Sequence, residues 1–286
     1  MSAAPAIALR RHDGPEYRYE IAMRVPAAPL AGLVRGYVGY TEHAALTMRR
    51  LQVPFSGLPL IVSFGPSIGV APAGAPERGR RVTSFLAGLH DHAVVTAYEG
   101  PQAGVQADLT PLGAAVLFPG LVAEAANRVV DLADVLGAEA ERLSESLALA
   151  PDWATRFDIL DAALTARLAT TRRPAPEVRH AVSRIAASHG GVAVARLADE
   201  AGWSRKHLTA RVRAELGLSP KTLARIARFE RAVALIGDAT SMADLAAACG
   251  YADQAHLGHE FRALAGTTPG AYAAALAAGG LGIATD

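Results

Sequence analysis

The chain has 286 residues, 51% apolar and 19% charged, with 28 basic against 27 acidic side chains and a formal net charge of +1. That length suits two domains, each able to bury a core, and the apolar share with mixed charges excludes a disordered chain or a polyelectrolyte tail. Near-neutrality gives no overall attraction to nucleic acid, so a DNA-binding surface has to concentrate its cations locally.

The single cysteine, Cys249, excludes an internal disulfide and a cysteine-based zinc cluster, which fits a reducing cytoplasm. Arg10 and Arg11 follow a short apolar stretch, the reverse of the charge order in a secretory signal. The most apolar later stretch, Leu112 to Ala126, is cut by Pro119-Gly120 and carries Glu124. It falls short of the roughly 20 residues that span a bilayer. The expectation is a soluble, cytoplasmic chain with no membrane partner.

Residues 17–118 read as short extended pieces punctuated by Gly and Pro: Tyr17–Ile21, Leu33–Tyr40, Leu58–Phe64, Val82–Leu86, Ala93–Tyr98, Gly104–Leu109 and Ala114–Phe118. Such runs at close spacing predict a small barrel or sandwich. From Gly120 the pattern becomes helical, over Leu121–Leu136 and Pro151–Ala169, with Trp153, Phe157, Leu160, Leu164 and Leu168 at three- and four-residue spacing. The polar stretch Thr170–Pro176 marks a boundary where no helix should continue. Beyond it, helices are expected over Val178–Ser188, Val194–Glu200, Arg205–Leu216, Lys221–Ile236, Met242–Cys249, Gln254–Ala265 and Pro269–Leu276, each ending at or near a glycine. The fold class is α+β: a β-rich, barrel-like N-terminal domain with helices (1–172; strands 17–118, helices 121–170), a linker at 173–177, an all-α domain at 178–278 and a tail at 279–286.

The helical half contains a repeat. Leu197-Ala198-Asp199-Glu200-Ala201-Gly202-Trp203 matches Leu245-Ala246-Ala247-Ala248-Cys249-Gly250-Tyr251 at an offset of 48, and beyond the turn Leu208/Leu257, Val212/Phe261, Gly217/Gly266 and Pro220/Pro269 match at 49. A repeat that survives a one-residue shift is a repeated supersecondary unit. In each unit a short helix ends at a glycine free to turn left-handed, an aromatic plugs the corner, and Ser204 or Asp253 N-caps the next helix. This is the helix-turn-helix pattern, with two copies joined by the helix Lys221–Ile236. Cys249 aligns with Ala201 in the packed turn and reads as core.

The segment Leu197–Tyr272 resembles the DNA-binding domain of the AraC/XylS family of bacterial transcription regulators. LADEAGWSRKHLTARVRAELGLSP looks like the first helix-turn-helix, RIARFERAVALI like the linker helix, and DLAAACGYADQAHLGHEFRALAGTTPGAY like the second unit. The resemblance covers about the last third of the chain. It implies that the second helix of each unit enters one of two successive major-groove segments of double-stranded DNA, and that RNA polymerase is a partner.

The reading faces follow from helical geometry. With Leu208 and Val212 buried, the opposite face of Arg205–Leu216 carries Lys206, Thr209, Ala210 and Arg213, with Arg205, His207 and Arg211 on the flanks and Ser204 at the start. Arg205 to Arg213 holds four fixed cations and no acid, the local concentration that the average conceals. Lys206 and Arg213 are expected at base edges or phosphates, Thr209 and Ala210 at bases, and Arg205 and Arg211 at the backbone. In the second unit Leu257 and Phe261 are buried, and Gln254, His256, His259 and Arg262 are the DNA-facing candidates. The family usually has arginine where His259 stands, and arginine and phenylalanine where Ala210 and Val212 stand. The expectation is that the first unit supplies most of the specificity and the second docks on phosphates. Along the linker helix, Lys221, Arg225, Arg228 and Arg231 read equally as a solvated face balanced by Glu230 or as phosphate contacts.

No catalytic residues, cofactor or metal are expected in the first half. His90-Asp91-His92 with Glu99 invites comparison with metal-binding cupin barrels, but the His–Glu gap is too long and no later histidine follows in the β-rich part. The serines lack triad partners and the glycines lack phosphate-loop spacing. Tyr37, Tyr40, Tyr98, Gln102 and Gln106 are the candidates to line a pocket for a small-molecule effector. The chain thus reads as a sequence-specific DNA-binding transcription regulator, not an enzyme, whose N-terminal domain senses a small molecule or self-associates as a homodimer. The rival reading is a metal-binding or enzymatic cupin-like barrel fused to a DNA-binding module.

Overall fold

The computed structural model of the chain describes residues 6–168 and 173–277. The expected tail at 279–286 and the Thr170–Arg172 part of the expected boundary lie outside the described residues.

The N-terminal domain is built on an antiparallel sheet of nine strands among the described residues: β1 (Ala8–Asp13), β2 (Tyr17–Arg24), β3 (Val34–Gln52), β4 (Leu58–Ser63), β5 (Ile68–Pro72), β6 (Arg80–Val82), β7 (Phe85–Ala87), β8 (Val94–Leu109) and β9 (Val129–Asp131). The order is β1-β2-β3-β8-β4-β7-β9, with β5 joining β8 to β6. One expected pair of short strands is a single long strand, and one expected strand is longer than anticipated. Ala93–Tyr98 and Gly104–Leu109 are both in β8, and β3 runs well past Tyr40 to Gln52. The two pair along their lengths, with a register shift between Ala44 and Met48 opposite Gly100 and Tyr98. A bulge of this kind bends the strands, and the sheet curls around a cavity.

Strand parity sorts the side chains. Leu58, Leu60 and Val62 of β4, Val105, Ala107 and Leu109 of β8, and Tyr37 of β3 are buried against the helices. The intervening Pro59, Ile61, Gln102, Gln106, Val38, Tyr40 and Glu42 face the cavity. The helices on the outer face are α1 (Pro111–Leu117), α2 (Leu121–Glu124), α3 (Leu132–Leu136), α4 (Ala138–Leu149) and α5 (Trp153–Leu168).

This region departs from the sequence expectations. Ala114–Phe118 is helical, because Thr110 caps the Gly113 amide and Pro111 opens the first turn. Leu121–Leu136 is not one helix: it is interrupted at Asn127, whose φ is +60°, and Val129–Asp131 pairs with β7. The helix α4 was not anticipated; its apolar contacts are the sparse set Ala140, Leu143 and Leu147 on an otherwise polar sequence.

The helical half follows the expected plan: α6 (Pro176–Ala187), α7 (Val194–Glu200), α8 (Arg205–Leu216), α9 (Pro220–Leu235), α10 (Met242–Ala248), α11 (Gln254–Ala265) and α12 (Pro269–Ala277). Its first unit shares one continuous core with the N-terminal domain, from Leu117 and Phe157 to Leu208 and Val212. Phe229, Ala232, Leu245, Leu257 and Phe261 form a separate core in the second. Among the described residues, no helix is long and apolar enough to cross a membrane.

One buried polar cluster fixes α5 to the sheet. Asp161 accepts from Tyr37 Oη at 2.6 Å, Arg24 Nη2 at 2.5 Å and the Ala27 amide at 3.0 Å. Tyr37 and Arg24 are only 1% and 5% exposed. Removing the acceptor strands the Tyr37 hydroxyl and Arg24 Nη2, while Arg24 Nη1 keeps Asp158 at 2.6 Å, so Asp161→Ala is expected to lower unfolding free energy by about 2 kcal/mol or more. Urea denaturation checks this; a loss below about 1 kcal/mol would show that the cluster is dispensable.

Candidate nucleic-acid interface and cavity

Both helix-turn-helix units have the predicted local construction. Ser204 Oγ accepts from the His207 amide at 3.2 Å, and Asp253 Oδ1 accepts from the His256 amide at 2.7 Å. The turns pass through Gly202 and Gly250, with φ of +66° and +72°. In each turn the aromatic amide closes on a small residue four positions before the glycine: Trp203 on the Ala198 carbonyl, Tyr251 on the Ala246 carbonyl, both at 2.9 Å. Cys249 is buried in the second turn, and burial pushes its thiol up from the ordinary range.

On α8, Leu208, Val212 and Leu216 are buried, while Ser204, Arg205, Lys206, His207, Ala210, Arg211 and Arg213 are exposed and Thr209 is half-buried. Two of these side chains carry local contacts: His207 packs edge-on against Trp203, and Arg211 pairs with Glu215 at 3.2 Å. On α11, Gln254, His259 and Arg262 are exposed. His256 is held differently from the expectation. Its ring packs edge-on against Tyr251, and its Nδ1 accepts from the Ala252 amide at 3.3 Å, so it braces the turn.

The linker helix α9 serves both units. Leu223, Ala224, Ile226 and Ala227 belong to the first core, and Phe229, Ala232 and Ile236 to the second. Two of its four cations are committed within the protein. Arg225 Nε donates to the buried Glu260 at 2.9 Å, and Arg228 Nη2 donates to the Gly190 carbonyl at 3.1 Å while lying over the Tyr251 ring. Glu260, which the sequence reading passed over, is the only buried acid of α11. Its position one residue before Phe261, on the inward side, was the available signal.

Besides the shared core, two close contacts dock the helical half on the N-terminal domain. Gly217, the left-handed cap of α8, abuts α2 so closely that a Cβ there would lie 2.5 Å from Ala126 Cβ. On α9, Glu230 accepts from Arg35 Nη1 at 2.6 Å and from the Ser56 amide at 2.9 Å. Burial opposes ionisation of Glu230, but the Arg35 and Ser56 contacts outweigh it and hold the carboxyl below its usual range. Glu230 therefore binds the N-terminal domain rather than balancing charge along its own helix.

The second candidate site is the cavity inside the curled sheet, about 510 Å³ in volume. Tyr40, Tyr98, Gln102 and Gln106 line it, as do Glu42 and Arg50, which the sequence reading missed. Tyr37 does not: three residues from Tyr40, it has the opposite strand parity and is bonded to Asp161. Val53, Pro54, Phe55 and Gly57 also line the cavity, as does Leu276 of α12. His90 and His92 lie in the wall with ring centroids 5.6 Å apart, while Glu99 bonds Thr47 instead. Among the described residues, no group of three or more His, Cys, Asp or Glu side chains is placed to hold a metal ion.

Removing Glu260 should loosen the second unit selectively. Glu260→Ala leaves Arg225 without its partner and is expected to cost about 2 kcal/mol. Hydrogen exchange should accelerate in α11 relative to α8; uniform acceleration across both helices would contradict this.

Comparison with known proteins agrees with this construction. Residues 197–275 match the family described as Helix-turn-helix domain. No curated protein sequence matches the chain. Among solved structures, the C-terminal domain of the response regulator AraT from Geobacillus stearothermophilus is 25% identical, covering 36% of this chain and 88% of its own, with a TM-score of 0.34. An AraC-type DNA-binding domain-containing regulator from Chromobacterium violaceum is 26% identical over 37% of this chain and 96% of its own, with a TM-score of 0.34. ToxT from Vibrio cholerae is 8% identical over 90% of this chain and 98% of its own, with a TM-score of 0.47. With its paired units on a shared helix, the segment 197–275 is a helix-turn-helix domain.

Proposed function

We propose that α8 and α11 read successive major-groove segments and that the cavity of the N-terminal domain holds the effector that modulates this reading. The observation that carries the first part is the unobstructed face of α8, where Arg205, Lys206, Arg211 and Arg213 are all exposed. Major-groove binding needs such a face, with cations at the phosphates and a few side chains at base edges. The face of α11 is poorer in charge, with Arg262 as its one fixed cation and Gly258 presenting no side chain. The first unit therefore supplies most of the sequence discrimination, and the second mainly docks. The protein acts by binding, not catalysis, on chromosomal DNA in the cytoplasm. A second copy of the chain and RNA polymerase are the further partners that this reading carries.

The segment Val53–Gly57 supplies a route from cavity to DNA. Val53, Pro54, Phe55 and Gly57 face the cavity, while Ser56 between them bonds Glu230 of α9. Val53 also packs on the core of the second unit, and the Arg35 guanidinium that pairs with Glu230 lies over the Phe55 ring. A guest that moves Phe55 would therefore move the contacts that hold α9, and Leu276 brings α12 to the same cavity.

Genome-wide mapping of bound sites, followed by titration of a recovered site, tests the DNA reading. Lys206→Ala is expected to weaken specific binding about tenfold or more, and His259→Ala less. Equal affinity for recovered and random duplexes, or a larger loss from His259→Ala, would overturn it. Arg35→Ala lies on neither the reading face nor the cavity wall, yet it is expected to change site affinity severalfold through α9. An unchanged affinity would reduce Val53–Gly57 to simple packing.

A further inference from the structure

The cavity wall has a distinct chemistry at one end. There Glu42 stands directly opposite Gln102 across β3 and β8, and Arg50 pairs with Glu42 at 3.0 Å. Tyr98 Oη donates to the same carboxylate, and the Arg50 guanidinium lies between the Tyr17 and Tyr98 rings, 5.5 and 5.4 Å from their centroids. Glu42 and Arg50 thus neutralise each other within the wall, and both carboxylate oxygens are already occupied. On the facing wall His90 donates its Nδ1–H to the Gly88 carbonyl at 2.7 Å, and burial holds the ring below its usual pKa, so it too is uncharged near neutrality. His92 is occupied by Asp91 at 3.2 Å.

Against this balanced background two buried donors of wall residues have nothing to bind: Arg50 Nε, whose guanidinium is already paired with Glu42 through its other nitrogens, and the uncharged amide of Gln102. Gln102 is 4% exposed, and its buried Nε2 has no hydrogen-bond partner. The fold places that amide at the cavity wall, where the rest of its strand face is apolar or already paired. Beside it, Tyr40 lies across Gly104 so closely that a Cβ there would sit 2.6 Å from the phenol oxygen. Buried amide donors are almost always satisfied, and a vacant one lining a cavity marks where a guest atom belongs.

We propose that the cavity takes an uncharged, mainly apolar molecule that places one carbonyl-type oxygen against Gln102 Nε2. The proposal rests on the reading of this cavity as the effector site and names the chemical class it selects. A carboxylate entering here would have to share Arg50 with Glu42 and would bring two anions together in a desolvated pocket. An ammonium would find Glu42 already satisfied. A ketone or ester oxygen meets the vacant donor without adding charge, and its hydrocarbon part lies on Ile61, Val70, Phe85 and Val94.

Titration calorimetry of the full chain with 2-nonanone, nonanoate and nonylamine at pH 7 tests the class. The ketone is expected to bind at least about tenfold tighter than either ion. Gln102→Leu, which keeps the bulk and removes the donor, is expected to weaken the ketone roughly 3- to 10-fold. Ala87→Phe, which fills the cavity from β7, is expected to abolish binding while circular dichroism shows the fold retained. Tighter binding of nonanoate or nonylamine that Ala87→Phe abolishes would overturn the class and leave the cavity as the binding site. Ketone affinity unchanged in Gln102→Leu would overturn the assigned contact. Binding of no probe, or binding indifferent to Ala87→Phe, would remove the cavity reading and the proposal with it.

Discussion

The structure depends on α9 being one rigid rod buried by two different cores. Its first half supplies Leu223, Ile226 and Ala227 to the first helix-turn-helix unit, and its second half supplies Phe229, Ala232 and Ile236 to the next. Phe229 meets Phe261 of the second reading helix edge-to-face at 4.8 Å. A straight helix fixes the rotation between residues three or four apart, so the spacing of apolar positions along α9 sets how the two units face each other. Gly190 shows how tight the arrangement is: a Cβ there would stand 1.9 Å from the Ala224 carbonyl oxygen of α9. Only glycine lets the loop after α6 approach the rod so closely.

The same rod connects DNA reading to the N-terminal domain. Gly217 against α2 fixes the end of the first reading helix, and Glu230 with Arg35 and Ser56 fixes the middle of α9. Neither contact touches the exposed faces of α8 and α11, so those faces stay free while their orientation is set from behind. The second unit, in contrast, has its own core and meets the N-terminal domain mainly through Val53 and Leu276.

Much of the helical half was legible because its signals are local. Ser204, Asp253, Gly202, Gly250, Gly217 and Gly266 act through their own backbone within a few residues, so sequence spacing places them. The exposed face of α8 follows from helical periodicity in the same way. The first half was less legible. The stretch Ala114–Phe118 suits strand or helix by composition, and its helical state turns on the Thr110 cap. Tyr40, Tyr98, Gln102 and Gln106 do line the cavity, but Tyr37 and Tyr40 cannot share a face once they lie in one strand. Glu42 and Arg50 were overlooked because their meeting requires the bend in β3 that joins positions eight residues apart.

The sequence by itself determined the repeat, the caps, the turns and the exposed cationic face of α8, since each is set by chemistry within one or two helical turns. Tertiary structure alone decided which charges stay free. Of the linker-helix cations, Arg225 and Arg228 are bound to Glu260 and Gly190, and the neighbouring Glu230 belongs to the other domain. It also decided that the two oppositely charged groups in the cavity cancel and that Gln102 is left with an unmet donor. Pairing of this kind depends on long-range juxtaposition, and a composition average near zero net charge contains no information about it.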